Sequence, residues 1–146
     1  MKNRETKILL WMFFPILFPY ICDITLTLIG QPEQYWQGNY LAVAEANPIS
    51  HWFLAKHPVV YILYSIARFL GYGLFIAILP LKFSRIVSIF LILAHTVGAY
   101  GWAKNVFYVG YWERVGLLIL PAILIAYSFD QVNSLVVENA IKRSEV

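Results

Sequence analysis

Apolar residues in this chain gather into four long blocks, at about 8–29, 58–81, 85–103 and 112–130, and charge is confined largely to the stretches between them. An α-helix rises about 1.5 Å per residue, so about 20 apolar residues cross a hydrocarbon core about 30 Å thick. The first three blocks meet that length directly. The fourth is uncharged only from Val115 to Phe129, about 22 Å as a helix, which places Glu113 and Arg114 at the interface or in a pair within it. Tyr108, Tyr111 and Trp112 just before it have the character of an interfacial aromatic belt. The pattern predicts an all-α polytopic membrane protein: one four-helix transmembrane domain over 1–146, a connection at 30–57, and a tail at 131–146 that forms a short exposed helix or frays.

The long connection has its own local signals. Tyr40–Ala46 favours a short helix, and Asn47-Pro48 is a helix-start pair, with Pro48 in the first turn and Asn47 as N-cap. A second short helix is therefore expected from about Ile49 to Ala55, along the membrane surface, with Glu45 and His51 flanking the turn. Trp36, Tyr40, Trp52 and Phe53 are expected to rest among lipid headgroups.

Composition agrees with lipid as the main solvent. Only 13% of residues are charged and 60% are hydrophobic, where soluble domains run near 25% charged. The net charge of +3 is too small and dispersed for a nucleic-acid partner. Cys22 is the sole cysteine, which excludes an internal disulfide and a multi-cysteine metal site. Lys2, Arg4 and Lys7 precede the first block as they would in a signal peptide. However, that block is longer than a signal core and holds two prolines and an acid, so a retained helix is expected. Basic residues favour one side, with Lys2, Arg4, Lys7, Lys82, Arg85, Lys142 and Arg143 against Lys56, Lys104 and Arg114. By the positive-inside rule this is a multi-pass protein of the cell membrane with cytoplasmic N- and C-termini.

Three costly residues interrupt the apolar blocks. Asp23, Arg68 and His95 lie in the first three, and on the expected topology they sit about 9, 15 and 12 Å below the outer ends of their helices. A charge at such depth costs on the order of 3 kcal/mol and is rarely left alone. Agreement in depth points to a shared polar site. Pro15, Pro19, Asp23 and Thr27 follow one face of the first helix, and Tyr61, Ser65, Arg68 and Tyr72 one face of the second. Two readings of Asp23 stand side by side: a structural ion pair with Arg68, and a functional group. Ala67 and Gly71 have the spacing used for close helix contact. Ala94, Gly98 and Gly101 leave room around His95, whose imidazole suits a ligand, a proton relay or a structural hydrogen bond.

Asp23-Ile-Thr-Leu-Thr27, followed by Glu45-Ala-Asn-Pro48 and three further apolar segments, resembles an uncharacterised family of small bacterial and archaeal integral membrane proteins with D-x-x-x-T and E-x-N-P motifs. The resemblance covers about the first third of the chain. It implies a unit built from Asp23, Thr27, Glu45 and Asn47 and brings no activity with it.

Three functions fit these residues. The first is an outward-facing site for a metal or a polar, lipid-borne ligand. Asp23, Glu45, His51 and His95 offer ligands to a divalent metal. Glu45 or His95 is the candidate catalytic base, and Thr27, Asn47, Arg68 and Tyr72 complete the ligand-binding set. No H-E-x-x-H, D-x-x-D or G-x-S-x-G motif accompanies them. The second is an accessory subunit that packs against membrane partners. The third is proton or ion transport by a homo-oligomer.

Overall fold

The computed structural model describes residues 2–106 and 111–144. It is helical throughout those residues: α1 (Lys2–Ile29), α2 (Glu33–Trp36), a 3-10 turn (Tyr40–Ala42), α3 (Pro48–Leu54), α4 (Pro58–Ile78), α5 (Leu81–Val106) and α6 (Tyr111–Ser144). Four segments are long and apolar enough to cross a membrane: Thr6–Ile29, Pro58–Ile78, Leu81–Lys104 and Leu118–Glu138. The chain is a multi-pass, four-helix bundle.

Local chemistry sets the helix ends. Asn47 caps α3, its side-chain oxygen accepting from the backbone N–H of Ile49 and Ser50, and Pro48 supplies a first residue that needs no hydrogen bond. His57 caps α4 in the same way, through Nδ1 to the N–H of Val59, ahead of Pro58. Pro80 stops α4, since the residue before a proline is pushed out of the helical region. Ser84 then ties the joint together, donating to the carbonyl of Ile76 at 2.8 Å and lying within reach of the Leu79 carbonyl at 3.1 Å. The turn is thus tighter than the sequence pattern implies: α4 ends at Ile78, α5 begins at Leu81, and Lys82 and Arg85 belong to its first turns.

α1 and α5 form the closest pair, α6 packs on both, and α4 leans on them more sparingly. One core draws on all four spans: Met12, Ile16 and Tyr20 of α1, Ile76 of α4, Leu91 and Ile92 of α5, and Val132 of α6. Pro15 and Pro19 are fully buried on the inward face of α1, which continues through both. Beneath the connection a smaller cluster of Tyr35, Leu54 and Tyr61 is fixed by the Tyr35 hydroxyl donating to the Leu54 carbonyl at 3.0 Å.

Two expectations need correction. The tail expected at 131–146 is, as far as Ser144, a continuation of α6, whose apolar stretch is shifted to Leu118–Glu138. Asp130 is exposed and does not end the helix, whereas Val132 is fully buried and Asn133 accepts from Arg85 at 2.8 Å. In the connection, the helix expected at Tyr40–Ala46 reduces to the 3-10 turn, and α2 forms before it. Trp36 and Trp52 are exposed as a surface belt requires, but Phe53 stacks face to face on Tyr64 at 3.9 Å, and Tyr40 packs edge-on against Tyr35. Tyr108 lies outside the described residues, as do the side chains of Tyr111, Trp112, Glu113 and Arg114.

Close approach of α1 and α5 depends on missing side chains. A methyl group on Gly30 would overlap the Trp102 ring, while one on Gly71 meets open space. Gly30→Ala is therefore expected to lower the thermal midpoint of the detergent-solubilised protein by several degrees, in line with about 1–3 kcal/mol for overpacking. Gly71→Ala should leave it unchanged or raised.

Candidate functional site

α1, α4 and α5 line a polar cavity of about 260 Å³ beneath the connection. Asp23 and Thr27 come from α1, Tyr61, Arg68 and Tyr72 from α4, and His95, Gly98 and Trp102 from α5. Glu45, Asn47 and Ser50 reach it from the connection. Helical spacing explains the convergence: positions 23 and 27, 61, 68 and 72, and 91, 95, 98 and 102 each follow one face of their helix.

Its centre is a contact between α1 and α5. The Asp23 carboxylate accepts from His95 Nδ1 at 2.8 Å, with the two side chains 18% and 7% exposed. A carboxylate is an acceptor, so Nδ1 carries the hydrogen, and a neutral ring so oriented would present the Nε2 lone pair as a proton acceptor. Among the described residues Nε2 has no hydrogen-bond partner. The ring is held edge-on against Tyr20 at 4.6 Å and tilted against Tyr72 at 5.8 Å. Gly98 makes the approach feasible, since a Cβ there would fall 2.8 Å from the Asp23 carboxyl carbon.

Arg68 is placed quite differently. Its Nε donates to the Tyr20 hydroxyl at 3.1 Å, and that hydroxyl donates onward to the Ser65 carbonyl at 2.6 Å. The guanidinium also lies 5.2 Å from the ring centres of Tyr20 and Tyr64. Among the described residues no carboxylate is within 4.0 Å of it. The ion pair with Asp23 raised by the sequence is not formed: Asp23 pairs with His95 and Arg68 with Tyr20. Arginine cannot discharge itself, and its terminal nitrogens have no hydrogen-bond partner among the described residues.

Above these groups the connection is clamped over the cavity. Gln31 donates to the carbonyls of Thr27 at 2.8 Å and Ala44 at 3.2 Å, and accepts from the Ala44 N–H at 2.9 Å. Glu45 accepts from the Asn47 N–H at 2.7 Å. Burial raises the Glu45 pKa from its ordinary 4.5, the Asn47 N–H opposes that, and Asp23 reinforces it. His51 faces away from the cavity: it is exposed, and its Nδ1 donates to the Glu45 carbonyl at 3.2 Å. Beneath the dyad, Leu91 belongs both to the cavity wall and to the main apolar core, so the polar space ends there.

Seven sequence candidates line this one cavity: Asp23, Thr27, Glu45, Asn47, Arg68, Tyr72 and His95. His51 does not, and the four residues named as metal ligands do not gather. Among the described residues no group of three or more His, Cys, Asp or Glu side chains is placed to hold a metal ion. Tyr20, Gln31 and Trp102 escaped the sequence reading. Tyr20 and Gln31 were within reach, three residues before Asp23 and four after Thr27 on the same helical face. Comparison with protein-family models, with curated proteins and with solved structures finds no match to this chain.

A folded-state pKa above the unfolded one makes Glu45 stabilising only while protonated. That contribution is complete below the unfolded value near 4.5 and is lost as the pH rises through the raised folded value. The thermal midpoint should therefore decline on that rise in the wild type and decline less in Glu45→Gln, which keeps the acceptor for Asn47. Melting curves from pH 4 to pH 8 check this, and parallel curves would refute it.

Proposed function

We propose that this protein binds, within the membrane, a ligand whose polar end carries an anionic group, with Arg68 as anchor and His95 as the proton acceptor beside it. The observation that carries this reading is the state of Arg68 in the cavity: a permanent cation with no carboxylate partner among the described residues. The acids there are already engaged, Asp23 with His95 and Glu45 with a backbone N–H. Burial also drives Glu45 toward its neutral form, which lessens repulsion of an anion. Asp23 acts as the positioning residue for His95, holding Nδ1–H so that Nε2 is presented to a ligand hydroxyl or water. Thr27, Tyr61 and Tyr72 supply neutral hydrogen-bonding walls.

The distribution of basic residues supports cytoplasmic termini, hence a cavity in the outer half of the cell membrane. Transport through a single chain is not favoured, because the polar space stops at the Leu91 layer.

Calorimetric titration in detergent with dodecyl phosphate and with dodecanol, against wild type and Arg68→Gln, tests the assignment. The phosphate is expected to bind the wild type about tenfold or more tighter than the alcohol, and Arg68→Gln should lose that margin. Equal affinity for the two, or an Arg68→Gln variant that melts normally and binds unchanged, would refute it.

A further inference from the structure

The cavity is not closed on the side between α4 and α5. The two helices are joined at one end by the Leu79-Pro80 turn and otherwise touch sparingly. Two residues lining the cavity from α5, Phe90 and Ala94, are also exposed on the outside of the bundle, Phe90 at 67%. Opposite them Gly71 is exposed, and a Cβ on it would meet nothing within 4 Å, as is true of Gly101 on α5. The small residues that suggested close helix packing in the sequence therefore border a gap. Its outer rim is apolar, and behind the rim sit Arg68 and the Asp23–His95 pair.

We infer that the ligand is a membrane amphiphile with an anionic, phosphate-type head, which reaches the cavity sideways from the bilayer through the gap between α4 and α5. This rests on the proposed anchoring role of Arg68 and adds the substrate class and its route. An ionised head leaving the headgroup layer loses hydration, and a cation together with neutral hydroxyls in the cavity replaces part of it. The alkyl chain never leaves an apolar surrounding, because Phe90, Ala94 and Gly71 face lipid. A cavity of about 260 Å³ holds a small head group and little else, so the chain must remain in the gap.

The test uses the full-length protein in lipid nanodiscs with an alkyl phosphate that carries a photoactivatable diazirine in its chain, followed by mapping of the labelled residues. Labelling is expected to concentrate on the 67–72 and 90–101 stretches by about tenfold over α6. Excess unlabelled alkyl phosphate should displace it, as should loss of the charge in Arg68→Gln. An alcohol of the same chain length should not label there, which keeps the result independent of any variant. Uniform labelling of all lipid-facing helices would overturn the inference, as would labelling centred on the separate groove of Leu17, Ile21, Ile62 and Ile66. Equal displacement by glycerol phosphate added to the buffer would assign a water-soluble ligand instead. Crosslinks between two copies through this gap, with the label excluded, would assign it to helix packing. Failure of the Arg68 reading itself is distinguishable, because it removes the phosphate preference in detergent, where no bilayer route is needed.

Discussion

The contact between Asp23 and His95 joins the two central helices where both side chains are largely withdrawn from solvent. A carboxylate there costs about 3 kcal/mol when unpaired, and a charge-assisted hydrogen bond returns roughly 1.5–3 kcal/mol of it. That exchange is available only at hydrogen-bonding distance, so it demands a helix pair packed more tightly than ordinary side chains permit. Gly98 meets the demand directly beneath the carboxylate, and Gly30 does so again where α1 passes Trp102. The rest of the arrangement follows from that pair. α6 packs on its apolar side, and α4 and the connection enclose the polar side.

Arg68 solves the same problem without a counter-charge. Its cost at mid-membrane is also about 3 kcal/mol on insertion scales. Two aromatic faces at about 1 kcal/mol each and one hydrogen bond to a phenol offset most of that. The guanidinium is therefore tolerable in the cavity, yet its terminal donors have no partner among the described residues. A direct Asp23–Arg68 pair would have neutralised the cavity and left nothing for an anion. Division of the three ionisable groups into a dyad and a separate cation leaves the terminal donors of the guanidinium uncommitted within the cavity.

The spans were legible because hydropathy reports length and solvent directly, and Asp23, Arg68 and His95 because their cost in lipid makes them stand out. Their convergence on one cavity could be read from residue counts. Partner choice could not, since it depends on helix rotation and on how closely two axes approach. A sequence in which Asp23 and Arg68 are the two opposite charges suggests pairing them, whereas Gly98 of α5 lets Asp23 approach His95. The end of α6 was misplaced for a related reason: Asp130 interrupts the apolar run, but a helix is held by its backbone, and an exposed acid on one face leaves Val132 free to be buried on another. His51 illustrates the limit in loops, where two residues flanking a turn need not face the same way.

Tyr20 links these levels. Its ring lies in the main core and against His95, while its hydroxyl joins Arg68 to the Ser65 carbonyl. It therefore acts as a strut that fixes α4 to α1 at the middle of the membrane, while Ile76 and Ser84 fix α4 at the turn. The Tyr61 ring, clustered with Tyr35 and Leu54 where Ile24 and Leu28 of α1 pack, adds a further attachment toward the connection. Both attachments beyond the turn run to α1, whereas α5 is met by the tilted contact of Tyr72 with His95. The polar ties of α4 thus run chiefly to α1, and its contacts with α5 are sparse. An apolar α4 of equal length would gain by closing onto α5. The polar face of Tyr61, Ser65 and Arg68 directs it to α1 instead, so residues that line the cavity also set which flank α4 leans on.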